Sequence, residues 1–452
     1  MQLSVLGAGY LGAIHATCMA HLGHDVRAFD VDKNKIEMLA RGETPFYEPG
    51  FREMLASVLA TGRLVFTDSP SEAIRDSELH FICVGTPQMQ SSDAADLKYV
   101  DAAFRAIIEY ANVPGLIVGK STVPVGTAQR LSEIVDTDGG GPKLGVAWNP
   151  EFLREGTAIE DTLHPDRLVF GVRGEQAEQA LLDVYSPLIE EGVPYITTDL
   201  ATSEMVKVAA NSFLATKISF INAMAEICEV ANADVLTLSR ALGYDARIGS
   251  RFLNAGLGFG GGCLPKDIRA FSARAGELGA GDAVAFLREI DKINLRRRER
   301  VVSLAGAVFG GDFLGKHVAV LGAAFKPNSD DVRDSPALSV AAAIHLKGAS
   351  VRVHDPEAID NAKRRFPTLD YYSTADEACR NSDLIVLATE WREYLEIDPS
   401  QLRSRVRRPI LVDARNAVDH RLWLDAGWQV HALGRGNLMA GFLTPQPGTS
   451  FQ

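Results

Sequence analysis

The segment that most restricts this chain is its opening. A short apolar strand at residues 3–6 runs into Gly7-Ala8-Gly9-Tyr10-Leu11-Gly12 and then into a helical pattern over 11–21. In a G-x-G-x-x-G frame between strand and helix, each glycine has its own steric task. Gly7 permits the tight turn, Gly9 lets backbone approach a pyrophosphate, and Gly12 lets the helix pack close to the sheet. Free N–H groups at the helix start then face the phosphates. A second strand, 26–30, ends in Asp30, about 20 residues on, where a carboxylate accepts ribose hydroxyls. A carboxylate there repels a 2′-phosphate, so the sequence predicts NAD rather than NADP. Arg27 lies nearby but precedes the acid within the strand.

At 452 residues the chain is too long for one hydrophobic core. Apolar, strand-like runs recur at 79–84, 116–120, 144–147 and 168–171, with helical patterns such as 71–76 between them. This alternation predicts a parallel sheet covered on both faces. From 200 to 242 strand signals stop. Val206, Ala209, Ala210, Phe213, Leu214, Ile218, Ile221, Met224 and Ile227 recur at helical spacing on more than one side, as in a helix buried between domains or at a subunit interface. Beyond the basic cluster 296–300 a second α/β pattern begins, with strands at 317–321, 351–355, 384–388 and 410–413. Residues 77–84 parallel 381–388. The predicted fold is α/β, two doubly wound Rossmann-like domains joined by a long central helix. The expected divisions are a dinucleotide domain at 1–198, a central helical part with a cysteine loop at 199–300, and a second Rossmann-like domain at 301–440. A disordered tail is expected at 441–452, which holds two prolines and few apolar residues.

A net charge of -12 argues against a protein that neutralises nucleic-acid phosphates over a broad surface, although a few lysines in a cleft suffice for a small anion. The basic cluster 296–300 reads as a solvated helix face. No run of 18 apolar residues exists, so no membrane span is expected. The opening strand carries no basic leader, and the expected location is the cytoplasm. Five cysteines, Cys18, Cys83, Cys228, Cys263 and Cys379, show neither CxxC nor Cys/His metal spacing, so no metal site is predicted. Four sit in apolar stretches and are expected to be buried; Cys263 does not.

Further segments carry chemistry. The loops Val84-Gly85-Thr86-Pro87 and Lys120-Ser121-Thr122-Val123-Pro124-Val125-Gly126-Thr127 leave the carboxyl ends of strands, where ligands of open sheets bind. They would supply Thr86, Pro87, Ser121 and Thr122 beside the nicotinamide. Asn149-Pro150-Glu151-Phe152-Leu153-Arg154-Glu155-Gly156 holds two carboxylates four residues apart. Lys207 and Asn211 share one helical face at i,i+4 spacing, and an ammonium plus an amide on an otherwise apolar helix predicts a small polar pocket. In Gly258-Phe259-Gly260-Gly261-Gly262-Cys263-Leu264-Pro265-Lys266-Asp267, Pro265 is placed to start a helix. Cys263 would then lie at a helix N-terminus beside Lys266, and both features favour a thiolate.

Together these segments resemble the UDP-glucose/GDP-mannose dehydrogenase family. The match runs in order through nearly the whole chain: the GAGYLG turn, the STVPVGT loop, NPEFLREGTAIEDTLHPDR, the K-x-x-x-N helix, GFGGGCLPKD, and Ala324-Phe325-Lys326-Pro327 with Asp330-Asp331-Val332-Arg333. Residues 207–218 and Asp245-Ala246-Arg247-Ile248-Gly249 look like the UDP-glucose branch. Departures are Gly262, where relatives commonly carry Ser, Gly85 before Thr86-Pro87, and Ala323-Ala324 before Phe325. These leave the nucleotide sugar open between UDP-glucose, dTDP-glucose and another nucleotide hexose.

The resemblance implies a four-electron oxidation of a sugar C6 alcohol to the carboxylate, with NAD as cofactor. Cys263 would be the nucleophile, forming a thiohemiacetal and then a thioester. Lys207 and Asn211 would stabilise the C6 oxygen, Asp267 would activate water, and Glu151 and Thr122 would position it. The division of the base role between Lys207 and Asp267 stays open. Beside Gly7, Gly9, Tyr10, Leu11, Gly12 and Asp30, the cofactor set would include Lys35, Glu155, Lys266 and Arg333. The sugar nucleotide would bridge the two α/β domains, meeting Glu151, Phe152, Leu153, Arg154, Phe252, Leu253, Gly260, Phe325 and Lys326, with Arg333 a second cation suited to pyrophosphate. Arg247 matches an arginine that reaches a neighbouring subunit, so the resemblance implies a homodimer or a larger homo-oligomer. A catalytically silent nucleotide-sugar binder is the alternative of another class, and intact Cys263, Lys207, Asn211 and Asp267 argue against it.

Overall fold

A computed structural model describes residues 1–137 and 143–436; the expected tail at 441–452 lies outside the described residues. The first sheet contains β1 (Gln2–Leu6), β2 (Asp25–Phe29), β3 (Leu64–Thr67), β4 (Leu79–Ile82), β5 (Gly115–Gly119), β6 (Leu144–Trp148), β7 (Leu168–Gly171) and β8 (Tyr195–Thr198). They run in the order β3-β2-β1-β4-β5-β6-β7-β8. Every pairing is parallel except β6 with β7. In β1, Leu3 and Val5 join one buried cluster and Leu6 another, because successive side chains of a strand point to opposite faces. Phe81 of β4 likewise packs on one face and Ile82 on the other. Both faces are thus dry, and each fully buried Leu or Ile contributes roughly 1.5–3 kcal/mol.

The second sheet contains β9 (His317–Leu321), β10 (Ser350–His354), β11 (Asp370–Tyr371), β12 (Leu384–Leu387), β13 (Ile410–Asp413) and β14 (Gln429–Ala432). Its order is β11-β10-β9-β12-β13-β14, all parallel. The doubly wound, two-sheet fold expected from the sequence is the one observed.

Between the sheets in sequence stands the helix Leu200–Ala231. The residues read at helical spacing, 206–227, all lie in this helix; beyond it Asn232 takes φ 59, and Asp234 caps a second helix, Val235–Gly243, by accepting from the Thr237 N–H at 2.8 Å. The chain forms two compact units, Met1–Asn211 with Arg269–Ala283, and Ser212–Ile268 with the chain from Val284 onward. Among the described residues no helix is long and apolar enough to cross a membrane.

Candidate active site

In the first unit the glycine turn is built as its sequence requires. Gly7 has φ +96, and its N–H donates to Phe29 O at 2.8 Å, carrying the β1–β2 ladder into the turn. A Cβ on Gly12 would stand 1.7 Å from Gly7 O, so a larger residue would drive the helix Tyr10–His21 off the strand. Above Gly9 the space is open, with nothing within 4 Å of a Cβ built there. Asp30 follows β2 directly. Its Oδ2 accepts from Ala8 N at 2.8 Å and from Lys35 Nζ at 3.1 Å, and its Oδ1 accepts from Asp32 N at 3.0 Å. The acid read from the sequence as the ribose acceptor therefore also fastens the glycine loop, a duty that the motif does not reveal. Arg27 is turned to the Glu72 carbonyl at 2.9 Å. An open glycine cradle at a helix N-terminus with an acid one strand away fits NAD. Tyr10 and Leu11 open this helix half-buried.

The next two loops are tied to each other. Thr86 Oγ1 donates to Thr122 O at 2.8 Å, Ser121 Oγ donates to Val84 O at 2.7 Å, and buried Trp148 donates to Ser121 O at 3.3 Å. Thr86 and Ser121, expected beside the nicotinamide, thus direct their hydroxyl protons to backbone carbonyls of the protein. Thr122 is half-buried and Pro87 exposed.

Lys207 is 5% exposed, which excludes a lysine that merely reaches solvent. Its Nζ lies 3.0 Å from Glu151 Oε1 and 5.5 Å from the centre of the Phe152 ring. Glu151 Oε2 also accepts from Leu153 N at 2.9 Å. Asn211 is buried one turn further along the same helix. Lys120 is buried as well and donates to Asn149 Oδ1 at 2.8 Å and to the Tyr185 hydroxyl at 3.2 Å. Burial pushes the Lys120 ammonium down to about 8; Lys207 pushes the same way, and Cys83 and Glu151 oppose.

Arg154 is engaged with Asp161 through Nε at 2.9 Å and Nη2 at 2.5 Å, and Glu155 is half-buried. Behind this loop stands Glu48, absent from the sequence reading. Its carboxylate accepts from Gly156 N and Ala158 N, each at 2.6 Å, and from the Tyr10 hydroxyl. One buried acid thus joins the glycine loop to the Glu151–Glu155 loop.

In the second unit Cys263 is exposed, whereas the four other cysteines are buried as expected. The helix Leu264–Glu277 begins immediately after it, and Cys263 O accepts from Asp267 N at 3.0 Å, so the cysteine occupies the helix N-cap. Lys266, read as a partner of the thiol, is bonded to the carboxylate of buried Asp267. Phe252 takes φ +64, an uncommon conformation for a bulky side chain that marks sites held by their surroundings. Leu253 and Gly260 are buried.

Two residues that the sequence did not single out hold this loop. Asn294 donates to Phe259 O at 2.9 Å and accepts from Phe259 N at 2.8 Å. Arg415 donates to Gly258 O and Phe325 O at 3.0 Å each, and to Ala388 O at 2.7 Å. Lys326 lies 5.4 Å from the Phe325 ring centre, and Arg333 is paired with Asp331 at 2.7 Å. A Cβ on Gly262 would come 2.2 Å from the Arg333 guanidinium carbon, so the departure at Gly262 makes room for that side chain. Arg247 is exposed and paired with Asp245 at 2.7 Å.

Three family models cover most of the chain. The UDP-glucose/GDP-mannose dehydrogenase NAD binding domain matches residues 1–189, the central domain 201–296, and the UDP binding domain 319–420. A UDP-glucose 6-dehydrogenase of Rhizobium meliloti is 42% identical over 439 residues, 96% of this chain and 100% of the relative. A UDP-glucose 6-dehydrogenase of Rickettsia typhi is 41% identical over 96% of this chain and 99% of its own. The solved structure of a UDP-glucose dehydrogenase from Pyrobaculum islandicum superposes with a TM-score of 0.87 at 39% identity, covering 93% of this chain and 95% of that one.

Proposed function

The chain belongs to the UDP-glucose/GDP-mannose dehydrogenase family of NAD-dependent oxidoreductases, and from that premise we propose that it oxidises UDP-glucose to UDP-glucuronate through a thioester on Cys263. The observation that carries the covalent step is the placement of Cys263, the exposed cysteine at a helix N-cap while its four counterparts are buried. Helix N-termini favour the thiolate, which is the nucleophilic form.

The glycine loop and Asp30 would hold NAD, and two NAD molecules bound in turn would supply the hydride acceptor for the two oxidations. Lys207 and Asn211 hold the C6 oxygen, and a base drawn from Lys207 and Asp267 removes its proton as the first hydride leaves. The Cys263 thiolate then adds to the aldehyde carbon, giving a thiohemiacetal whose oxyanion Lys207 and Asn211 stabilise. Loss of the second hydride leaves the thioester. Water placed by Glu151 and Thr122 and activated by Asp267 adds to the carbonyl, and the C–S bond breaks to release carboxylate and thiolate. Lys326 and Arg333 hold the diphosphate, with Phe252, Leu253 and Gly260 around the nucleotide.

The working unit is a homodimer or a larger homo-oligomer in the cytoplasm. The helix Leu200–Ala231 exposes Phe213, Phe220 and Ile227 at seven-residue spacing, with Val230 beside them, an apolar stripe suited to a second copy. Arg247 then serves the neighbouring subunit. A reducing compartment keeps an exposed thiol in its active state.

Following NADH absorbance while UDP-glucose, dTDP-glucose and UDP-N-acetylhexoses are supplied tests the reading. The expected result is two NADH per UDP-glucose consumed, with dTDP-glucose slower by about 10–200-fold, the range one methyl commands in a fitted pocket. One NADH per sugar would remove the second oxidation, and faster turnover of dTDP-glucose would reassign the substrate.

A further inference from the structure

The loop that carries Ser121 and Thr122 ends in a tight turn before the helix Thr127–Thr137. Gly126 has φ +96, and Thr127 Oγ1 donates to Pro124 O at 2.6 Å. The first amides of such a helix have no partner within it. Here two of them are taken by one carboxylate from far along the chain: Glu204 Oε2 accepts from Gly126 N at 2.7 Å and Oε1 from Ala128 N at 2.6 Å. From the helix that starts after Cys263, Arg274 Nε donates to Val125 O at 2.9 Å. Val125 O and Gly126 N belong to a single peptide unit, so that plane is gripped at both ends, by an acid on one side and a guanidinium on the other. Glu204 also lies one turn before Lys207 on the same helix. The clamp therefore sets the Thr122 loop in register with the helix that carries Lys207 and Asn211.

We propose that Glu204 and Arg274 are positioning residues for the oxidation, holding the Val125–Gly126 peptide so that Thr122 keeps its place relative to Lys207. The inference rests on the function proposed above for Thr122 and Lys207. Capping alone does not account for it. A local Ser or Asn would satisfy helix amides without burying a charge, and Glu204 is 2% exposed. Burial raises its carboxyl to about 7, against the lowering pull of the Ala128 and Gly126 amides and of Arg274. Arg274, the charge acting on Glu204 from another element, does not titrate in this range and is itself bonded to Glu277.

Protonation turns one oxygen from acceptor to donor and frees one amide. The clamp should loosen as pH falls through about 7. For stability the sign is opposite. The folded group holds its proton more tightly than the unfolded one, so ionised Glu204 costs stability above pH 7, and that cost fades as pH falls toward the unfolded carboxyl value.

Glu204→Gln keeps the shape but presents one acceptor and one donor, as the protonated acid does. We expect kcat to fall about 10- to 100-fold, the scale of an ångström-sized misplacement, with the KM for NAD within about threefold and the melting temperature at pH 8 no lower than that of the wild type. The acid limb of the kcat profile near pH 7 should disappear. Arg274→Met should act in the same direction, and the double variant should be little worse than the poorer single one, because both act on one peptide. Wild-type kcat with the acid limb intact in Glu204→Gln would overturn the proposal. So would a collapsed melting temperature with normal kcat per folded molecule, which marks a merely structural cap. Hydrogen exchange at Gly126 and Ala128 needs no turnover and separates this inference from the function it rests on. Protection should drop below pH 7 in the wild type and at every pH in Glu204→Gln. Equal protection in both proteins rejects the clamp even if the enzyme is active, whereas an inactive wild type with the expected exchange pattern rejects the substrate reading alone.

Discussion

The two sheets repeat one another, and the point at which they part explains their division of labour. The first six strands of the N-terminal sheet follow the order β3-β2-β1-β4-β5-β6, and the C-terminal sheet follows β11-β10-β9-β12-β13-β14. Each first strand ends in a glycine of positive φ, Gly7 at +96 and Gly322 at +111. Each of these glycines donates at 2.8 Å to the end of the second strand, Phe29 O and His354 O. Each second strand is followed by an aspartate that accepts from the amides of the glycine loop. Asp30 binds Ala8 N, and Asp355 Oδ2 binds Ala323 N at 2.7 Å and Ala324 N at 2.9 Å.

The difference lies in what else the acids do. Asp355 is fully buried, and its oxygens are further used by the Trp391 indole and by the Glu357 and Ala358 amides. Asp30 keeps its side chain 11% exposed beside Lys35. In the first sheet the helix follows the glycine turn at Tyr10; in the second it waits until Pro336, and the longer loop carries Phe325, Lys326 and Arg333. One acid stays partly open beside Lys35, as the proposed ribose contact requires, and the other is closed into the scaffold, while the longer loop that follows is the one proposed to meet the sugar nucleotide. The same skeleton can thus serve two ligands because fold and site are separable.

The largest effect that would break this comparison is on stability. Asp355→Ala strands several buried N–H groups and should cost about 3 kcal/mol or more, read by urea denaturation. A variant as stable as the parent but poor in NAD binding would mean that Asp355 is no mere scaffold. Asp30→Ala should cost only about 1 kcal/mol of folding. Its larger effect is on cofactor use, an NAD KM raised about tenfold or more with a narrowed preference over NADP; a wild type that prefers NADP would remove Asp30 from its role. The smallest expected effect is that of Gly262→Ser. Gly262 has no positive φ, and its would-be neighbour is the mobile end of Arg333, so stability should move within about 0.5 kcal/mol. Any change should appear in the sugar-nucleotide KM, and a folding defect would show that the glycine is required by backbone rather than by Arg333.

The interior of both sheets was legible in the sequence and the margins were not. Strands β1, β2, β4, β5, β6, β7, β9, β10, β12 and β13 were read, and they are the interior ones. β3, β8, β11 and β14 were missed, and they are the edges. An interior strand in a doubly wound sheet is buried on both faces and reads as an apolar run. Of the edges, Tyr195-Ile196-Thr197-Thr198 and Asp370-Tyr371 are solvated, and Gln429-Val430-His431-Ala432 alternates polar with apolar residues, so none of these three reads as an apolar run.

The site divides similarly. Glycine turn, lysine–asparagine helix and cysteine loop announce themselves because each needs its residues at short spacing. Glu48, Glu204, Asn294 and Arg415 act on backbone many residues away, 108 positions in the case of Glu48 and Gly156, and nothing local marks them. The one available sign for Glu204 was its place one turn before Lys207 on the same helix.

If oxidation passes through a covalent bond to Cys263, the serine variant should trap it. Cys263→Ser keeps a weak nucleophile of similar size, so binding and the first hydride transfer should survive. Steady-state turnover should collapse, because a hydroxyl is far less nucleophilic than a thiolate at neutral pH. Intact-protein mass spectrometry after mixing this variant with UDP-glucose and NAD should find a glucuronyl ester on the chain, slow to hydrolyse, and Cys263→Ala under the same conditions should carry no adduct and form no acid. Near-normal production of UDP-glucuronate by Cys263→Ala would contradict the thioester route.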